Sequence, residues 1–285
     1  MKPTILITGC SSGIGLCAAL GLAERGWRVF ATVRRDEDSA QLPGAEVLLL
    51  EQTDSASVQA CAAEVLRRTE GKLDAVFCNA GMSVPGAVED LSRDALRFQF
   101  ESNVFGTIEL VNALLPAMRA NGHGRILINS SILGFAAMPY RGAYNATKYA
   151  LEGFADTLRQ ELHGSQIYVS LIEPGPIRSR FRANAEVQFA RWIDAENSFH
   201  KQAYVAMKAR LAKPGPANPF TLPPEAVLAD VWRALNATRP AARYRQTKPT
   251  KWFWYLRRLL PTRGFDWACR VGSGDEPGYV YGRKK

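Results

Sequence analysis

The 285-residue sequence lacks several features that would place it in a specialised class of protein. No apolar run approaches the length of about 18 residues that a membrane-spanning helix needs. The five cysteines include no C-x-x-C pair, and the three histidines are scattered without the spacing of metal ligands. We therefore expect no metal site, and we interpret the cysteines as reduced thiols of a cytoplasmic protein. The opening residues, MKPTILITG, enter a strand pattern at once and leave no room for a signal peptide.

The first 238 residues also lack any excess of charge. They hold 24 basic and 24 acidic residues, whereas residues 239–285 hold twelve Lys and Arg against three Asp and Glu and so carry the whole net charge of +9. A basic segment can contact nucleic acid or an anionic membrane. A solvated terminal segment is the simpler interpretation, and without a recognisable binding motif we expect no nucleic-acid partner.

Short segments rich in Val, Ile and Leu alternate with helical patterns along most of the chain. Several are apolar almost throughout, as strands covered on both faces should be. Helices are predicted over 14–25, 56–70, 92–119, 143–162 and in PPEAVLADVWRALNA, which precedes a possible seventh strand, ARYRQTK. The alternation predicts a single Rossmann-type, doubly wound α/β domain with six or seven parallel strands. The six clearer strands are TILITG, WRVFATV, AEVLLLE, LDAVFCNAG, GRILINSS and QIYVSLIEPG.

Residues 176–222 interrupt this alternation of strands and helices, and the segment is too long to be a simple loop between two elements. They follow the sixth strand at the carboxyl edge of the sheet, where open α/β folds bind ligands. We predict a helical lid over an apolar substrate, and a helical insertion packed by ordinary core aromatics is a compatible alternative. The chain then divides into a cofactor-binding and catalytic core (1–175), this lid insertion, and a C-terminal part (223–285). The insertion's aromatic residues are Phe181, Phe189, Trp192, Phe199, Tyr204 and Phe220.

A glycine-rich loop follows the first strand and leads directly into a helix. Its sequence, TGCSSGIG, has the spacing G-x-x-x-G-x-G, which lets the backbone turn tightly beside a pyrophosphate at the helix N-terminus. This context predicts a dinucleotide site. The residues expected to hold the cofactor here are Gly9, Ser11, Ser12, Gly13, Ile14 and Gly15.

The end of the second strand bears on the choice between NADP and NAD. Enzymes that select NAD usually have an acid here, but this chain has Arg34 and Arg35 before its first acid, Asp36. A guanidinium suits a 2′-phosphate by charge and by geometry. We therefore expect NADP(H), with NAD(H) less favoured. The alternative interpretation is that the two arginines simply lie in a solvated loop.

The stretch YNATK sets Tyr144 and Lys148 one helical turn apart. A free phenol has a pKa near 10, and an adjacent ammonium favours the phenolate, so this pair predicts a tyrosine that exchanges protons near neutral pH. Tyr140 has no lysine four residues later, and Tyr149 points to another side of the helix. We interpret both as packing residues, with Tyr140 near enough to reach a substrate cleft.

Six short motifs occur along the chain, each at the end of a predicted strand or in a predicted helix. By these motifs and their order, the sequence resembles the short-chain dehydrogenase/reductase family over most of its length. Within the family it is most similar to the branch of 17β-hydroxysteroid and retinol dehydrogenases and bacterial NADP-dependent aldehyde reductases, the last through SLIEPGPIRSRF and RRLLPTR. The motifs are TGCSSGIG, CNAG, ESNVFG, INSS, YNATK and EPGPI.

The resemblance implies roles for four catalytic residues. Tyr144 would be the general acid in reduction and the general base in oxidation, and Lys148 would also bind the nicotinamide ribose. Ser131, thirteen residues before Tyr144, would hydrogen-bond the substrate oxygen; its neighbour Ser130 is the less favoured alternative because it should face the other side of the strand. Asn103 would hold a water in a proton relay.

The resemblance also implies further cofactor contacts. Asn79, Ala80 and Gly81 would pack beside the adenine ribose. Glu51 and Gln52 stand where the family usually has Asp and an aliphatic residue, which leaves the adenine contact to a longer acid. The nicotinamide would lie against the loop after the sixth strand, formed by Pro174, Gly175, Ile177 and Ser179.

The expected reaction is hydride transfer between NADP(H) and an apolar carbonyl or alcohol, foremost reduction of a medium- or long-chain aldehyde. The alternatives are a 17β-hydroxysteroid or retinol dehydrogenase and, in another class, a non-catalytic NADP(H)-sensing regulator. Family members commonly form homodimers or homotetramers. The segment KWFWYLRRLLP could be an amphipathic helix in weak peripheral contact with a membrane. The expected substrate wall comprises Met82, Val84, Leu133, Met138, Tyr140 and Tyr144, with Ser131 at the reacting oxygen.

Overall fold

A computed structural model of the chain describes residues 2–216 and 218–274. Its centre is a sheet of seven strands in the order β3-β2-β1-β4-β5-β6-β7, and every neighbouring pair is parallel. The predicted doubly wound fold is confirmed, as is the seventh strand. The strands are β1 (Thr4–Ile7), β2 (Arg28–Val33), β3 (Glu46–Leu49), β4 (Ala75–Cys78), β5 (Gly124–Asn129), β6 (Ile167–Glu173) and β7 (Arg243–Arg245).

Helices cover both faces of the sheet, which explains why the central strands are apolar almost throughout. Every residue of β1 and β4 is buried. Helices α1 (Gly13–Glu24) and α8 (Glu225–Asn236) pack on one face. Helices α2 (Ser55–Arg68), α4 (Gly106–Asn121) and α5 (Gly142–Glu161) pack on the other. A side chain at Gly21 of α1 would collide with Leu228 of α8, so a glycine permits their close approach.

The predicted helix over 92–119 is divided by a π-helical turn. It consists of α3 (Arg93–Phe100), the turn at Glu101–Phe105, and α4 (Gly106–Asn121). Such turns often occur at functional sites, and this one places Asn103 and Val104 in the interior. The other predicted helices are α2 (Ser55–Arg68) and α5 (Gly142–Glu161), both close to their expected bounds.

The insertion at 176–222 contains two helices, α6 (Phe181–Trp192) and α7 (Lys201–Ala212). Its two ends meet at a bridge between Ile177 and Leu222. The helices share a small core with the loop that follows β4, in which Phe189 and Tyr204 are buried. Tyr140 belongs to this core, so it is a packing residue as predicted.

After α8 and β7 the chain forms two further helices, α9 (Lys248–Leu259) and α10 (Thr262–Gly272). Their inner sides, including Phe253, Leu256 and Phe265, pack on the turn at 132–136 after β5. KWFWYLRRLLP is therefore a helix of the domain itself, with Trp252, Tyr255 and Leu259 left exposed. No helix in the described ranges is both long and apolar enough to cross a membrane. The end of the basic segment, 275–285, lies outside the described residues.

Candidate active site

A cavity of about 1320 Å³ opens at the carboxyl ends of the central strands. Its wall is formed by the loops that follow β1 to β6, the first turns of α5, the lid insertion, and the segment of α9 and α10, with Ser102 of the π-helical turn. Such a position, outside the carboxyl ends of parallel strands, is where open α/β sheets bind ligands.

The glycine loop presents a suitable surface for a pyrophosphate. Gly9 and Gly13 have φ values of 72° and 59°, and a Cβ at Gly9 would lie 2.8 Å from Ala80 Cα. No side chain caps the N-terminus of α1 at Ser12, so its first amides face the cavity without a side-chain acceptor. Ser11, Ser12, Gly13 and Ile14 all line this region, whereas Gly15 packs behind the loop against Asn79. The residues present therefore fit a dinucleotide.

Thr8 is a residue of this site that the sequence analysis missed. Its buried hydroxyl accepts hydrogen bonds from the backbone N–H groups of Asn79 at 3.0 Å and Ala80 at 2.9 Å. The Asn79 amide in turn donates to the Thr8 carbonyl. These bonds hold the predicted residues Asn79, Ala80 and Gly81 against the glycine loop, and all three line the cavity. Only the position of Thr8 beside the first glycine could have signalled this role.

The two arginines after β2 are placed differently. Arg34 lines the cavity. Arg35 does not: its side chain is largely exposed and its Nε lies 3.6 Å from Asp38 Oδ2 and 3.9 Å from Glu37 Oε2. Contrary to the expectation for both arginines, the structure therefore places only Arg34 at the cavity, because Arg35 is turned toward Asp38 and Glu37.

Glu51 and Gln52 both line the cavity, but their side chains are occupied by contacts within the protein. Glu51 Oε1 accepts from the N–H and hydroxyl of Thr53 at 3.0 and 2.9 Å. Gln52 is buried, and its Nε2 donates to Thr107 Oγ1 at 3.2 Å. The Glu51 carboxylate is thus turned toward Thr53 in its own loop.

Ser131 and Tyr144 lie together in the cavity wall. Ser131 lies two residues after the end of β5, and its hydroxyl is close enough to the phenol of Tyr144, near the start of α5, to act on its pKa. Ser130 is different, because its hydroxyl donates to Glu152 Oε1 at 2.5 Å. The structure therefore brings Ser131, and not the alternative Ser130, to the tyrosine.

Lys148 is buried one turn after Tyr144. Its Nζ donates to the Asn129 carbonyl at 2.6 Å and lies 5.5 Å from the centre of the Tyr144 ring. Burial lowers the pKa of Lys148 to about 8, opposed by the charge of Glu152. Burial also raises the pKa of the Tyr144 phenol, against the hydrogen bond with Ser131. The sequence analysis expected Lys148 to lower the pKa of Tyr144. For the protein's own groups that expectation is wrong, because the water that the phenol loses on burial has the larger effect.

Asn103 lies one layer behind the cavity wall, on the π-helical turn. Its Oδ1 accepts from Met82 N and its Nδ2 donates to Met82 O, both at 2.9 Å, and Nδ2 also reaches Thr147 Oγ1 at 3.1 Å. A Cβ at Gly81 would lie 3.4 Å from Asn103 Oδ1 and 3.7 Å from Lys148 Nζ. Asn103 and Lys148 therefore both approach Gly81.

The loop after β6 completes the part of the cavity nearest the tyrosine. Pro174, Gly175, Ile177 and Ser179 all line it. A side chain at Gly175 would collide with the buried Thr247 hydroxyl, so the loop rests closely on the start of α9.

The apolar region beside Tyr144 is formed by residues from several distant segments. Met82, Leu133 and Met138 line it as predicted, but Val84 and Tyr140 are packed elsewhere and do not. Of the six insertion aromatics, Phe181 and Phe220 reach the cavity, and the Phe181 ring lies 5.3 Å from that of Tyr144. The sequence analysis missed two stretches of wall. The first is Pro249, Trp252 and Phe253, which the amphipathic pattern of α9 could have suggested, and the second is 272–274 at the end of α10.

Comparison with known proteins identifies the family. A sequence profile described as short chain dehydrogenase matches residues 3–188. The uncharacterized oxidoreductase YbbO of Escherichia coli (strain K12) is 42% identical over 268 residues, covering 93% of each chain. Human 17-beta-hydroxysteroid dehydrogenase type 1 is 34% identical over 264 residues, covering 87% of this chain and 78% of that protein. A solved structure of a short-chain dehydrogenase from Streptomyces avermitilis superposes with a TM-score of 0.72 at 29% identity, covering 88% of this chain and 90% of that one.

The buried Lys148 predicts a particular pH dependence of stability. The amine has its ordinary pKa of 10.5 when unfolded and about 8 when folded, so between these values the folded protein binds fewer protons and is stabilised as the pH rises. Lys148→Met removes this dependence. We expect the free energy of unfolding of the wild type, minus that of the variant, to increase between pH 8 and 10.5 by up to about 3 kcal/mol.

Denaturant unfolding at a series of pH values measures this difference. Lys251→Met on the exposed side of α9 is the matched control and should leave the difference flat. A difference that stays constant, or shrinks, with rising pH for Lys148→Met would contradict the assignment.

Proposed function

Because this chain belongs to the short-chain dehydrogenase/reductase family, whose members are oxidoreductases acting on CH–OH donors with a nicotinamide dinucleotide, we propose that it uses NADPH to reduce medium- or long-chain aldehydes. One observation carries the proposal: the Ser131–Tyr144 pair faces an apolar cavity beside a loop and helix N-terminus that suit a dinucleotide.

When bound, the dinucleotide supplies the hydride that reduces the carbonyl carbon. The Tyr144 phenol donates its proton to the carbonyl oxygen, and the Ser131 hydroxyl hydrogen-bonds the same oxygen as negative charge develops there. The elevated pKa of Tyr144 keeps the phenol protonated, which suits the reductive direction. Lys148 and Asn103, which both approach Gly81, provide the route by which the phenol regains a proton.

The cofactor's parts correspond to successive regions of the wall. The amides of Ser12 and Gly13 would hold the pyrophosphate, and Arg34 would hold a 2′-phosphate. Asn79 to Gly81 would flank the adenine ribose. The nicotinamide would rest on Pro174 and Gly175, with Ile177 and Ser179 at its carboxamide, and Lys148 would bind its ribose.

The apolar lining supports a hydrocarbon-like substrate. Leu133, Met138 and Phe181 surround the tyrosine, and Phe253 and Trp252 extend the apolar surface outward. A 17β-hydroxysteroid or retinol/retinal substrate is the second candidate, favoured by the similarity to the human steroid dehydrogenase. A cytoplasmic location is part of the proposal.

A homodimer or homotetramer is also part of the proposal. The outer faces of α4 and α5 carry a shallow apolar groove, flanked by the exposed rings of Phe105 and Phe154. This groove lies away from the cavity and offers a surface for a second copy. A non-catalytic NADP(H)-sensing regulator is disfavoured because Ser131, Tyr144 and Lys148 are all placed for chemistry.

Oxidation of NADPH with decanal, retinal and a 17-ketosteroid tests the reaction. We expect the fastest turnover with decanal, and a loss of about a thousandfold or more in kcat for Tyr144→Phe, because the variant lacks the proton donor. Tyr149→Phe, on the same helix but outside the cavity wall, should stay close to wild type. Tight NADPH binding without turnover of any carbonyl would favour the sensor instead.

The placement of the two arginines predicts their separate effects on cofactor choice. Arg34→Ala should raise KM for NADPH by about 10- to 100-fold, because a charge-assisted contact with the 2′-phosphate is lost, and should leave KM for NADH nearly unchanged. Arg35→Ala is the matched control and should change neither value. Equal effects of the two substitutions, or a higher KM for both cofactors, would contradict the role of Arg34.

Weak contact with an anionic membrane surface is a further part of the proposal. The outer sides of α9 and α10 expose Tyr255, Leu259, Trp267 and Val271. The exposed charges of the same two helices are six basic residues and one acid: Lys248, Lys251, Arg257, Arg258, Arg263 and Arg270, with Asp266. Apolar rings beside excess positive charge suit a bilayer with anionic headgroups.

Vesicle sedimentation tests this contact. The wild type should bind vesicles of phosphatidylcholine with one-third phosphatidylglycerol, bind pure phosphatidylcholine much less, and be released by salt. Trp267→Glu should reduce binding at least fivefold, whereas Val205→Glu, an equally exposed change on α7, should not. Binding that is equal for both vesicles and both variants would refute the assignment.

A further inference from the structure

Four polar residues follow one another along α5 at intervals of four, on one side of the helix: Tyr144, Lys148, Glu152 and Asp156. The first two have roles in the proposed reaction. Glu152 has none so far, although its side chain is only 12% exposed and it lies one turn from the buried ammonium of Lys148.

Glu152 holds groups from two strands of the sheet. Its Oε1 accepts from the Ser130 hydroxyl at 2.5 Å, and its Oε2 accepts from Arg243 Nε at 3.1 Å. Ser130 immediately precedes Ser131, the residue that hydrogen-bonds Tyr144. The carboxylate therefore anchors the strand end on which Ser131 is presented, from the side opposite the cavity.

Arg243 extends this contact to the loop beneath the nicotinamide site. Its guanidinium also pairs with Asp156 Oδ2 at 2.7 Å, and its Nε contacts Glu173 Oε1 at 3.0 Å. Arg245 Nε approaches the other oxygen of Glu173 at 2.6 Å. Glu173 is fully buried and directly precedes Pro174 and Gly175. One cluster of charges thus connects the catalytic helix, the serine strand and the loop after β6.

The electrostatic effect of Glu152 on Lys148 has a clear direction. Burial lowers the pKa of Lys148, and the negative charge of Glu152 opposes that shift. Burial raises the pKa of Glu152 itself, while the Ser130 hydrogen bond and Arg243 stabilise its ionised form. The other titratable groups that act on Glu152 or are acted on by it are Asp156 and Tyr149 on α5, Glu173 on β6, and Arg243 and Arg245 on β7. Farther out, Arg159 pairs with Asp156, Arg257 lies near Tyr149, and Arg258 lies near Arg245.

We propose that Glu152 is a positioning residue of the active site, which fixes the strand end carrying Ser131 through Ser130 and places a carboxylate one helical turn from the Lys148 amine. The importance of both effects for turnover rests on the proposed function, but the effect on Lys148 does not. A merely structural ion cluster would contribute to stability and leave the titration of Lys148 unchanged.

Titration of Lys148 in Glu152→Gln distinguishes these roles. The amine's reactivity toward a small acylating reagent, acetic anhydride, is followed against pH by peptide mass spectrometry on the full-length protein. In Glu152→Gln the midpoint should fall by roughly half a unit to one unit, because a neighbouring negative charge is lost. Asp156→Asn is the matched control: it removes a charge from the same helix and from Arg243, one turn further from Lys148, and should leave the midpoint in place.

The outcomes separate cleanly. An unshifted midpoint in Glu152→Gln, or an equal shift in Asp156→Asn, overturns the proposal whatever the enzyme's substrate is. If the wild type reduces no carbonyl, the proposed function fails while the titration still stands as a test. Where turnover is measured, the pH at which alcohol oxidation by Glu152→Gln reaches half its maximum should rise, because a less protonated Lys148 stabilises the phenolate less. An oxidation profile whose half-maximum stays at the wild-type pH would overturn the proposal.

A second variant covers the case in which Glu152→Gln does not fold. Ser130→Ala keeps the carboxylate and its ion pairs but releases the strand end. We expect kcat to fall about tenfold with unchanged binding of NADPH, measured by cofactor fluorescence. An unchanged kcat would overturn the positioning role.

Discussion

Burial of the Lys148 ammonium is the constraint on which the rest of the active site depends. A buried charge is costly unless polar groups replace its water. Here the Asn129 carbonyl accepts from the amine directly, and the carboxylate of Glu152 lies one turn away. That carboxylate needs its own partners, Ser130 and Arg243, and Arg243 in turn meets Asp156 and Glu173. The short seventh strand, which carries Arg243, is thereby tied to the catalytic helix.

Much of the fold followed from the sequence because its signals are local. Alternating apolar segments and helical periods predicted the parallel sheet, and the spacing of Tyr144 and Lys148 predicted a shared helix face. Ser131 could be preferred over Ser130 because neighbouring residues of a strand face opposite sides. Each of these inferences depends on backbone geometry that a few consecutive residues determine.

The errors involved contacts between distant positions. Arg35 and Arg34 are equivalent in sequence, and only the position of Asp38 shows where Arg35 turns. Val84 is fully buried away from the cavity, and Tyr140 packs into the core that the lid insertion supplies, which its own sequence neighbourhood does not show. The expected lowering of the Tyr144 pKa considered one charge and not the water lost on burial. The π-helical turn at Asn103 likewise depends on its tertiary surroundings, in which Gly106 lies against the loop after β3.

The bridge between Ile177 and Leu222 has a consequence for ligand binding. Two hydrogen bonds, from Arg178 N to Leu222 O at 2.9 Å and from Leu222 N to Pro176 O at 3.0 Å, close the insertion at its base. Because its ends are joined and its helices also pack on the loop after β4, the insertion is ordered within the protein itself. A cavity wall that is already ordered loses little conformational freedom on binding, so more of the contact energy remains as affinity.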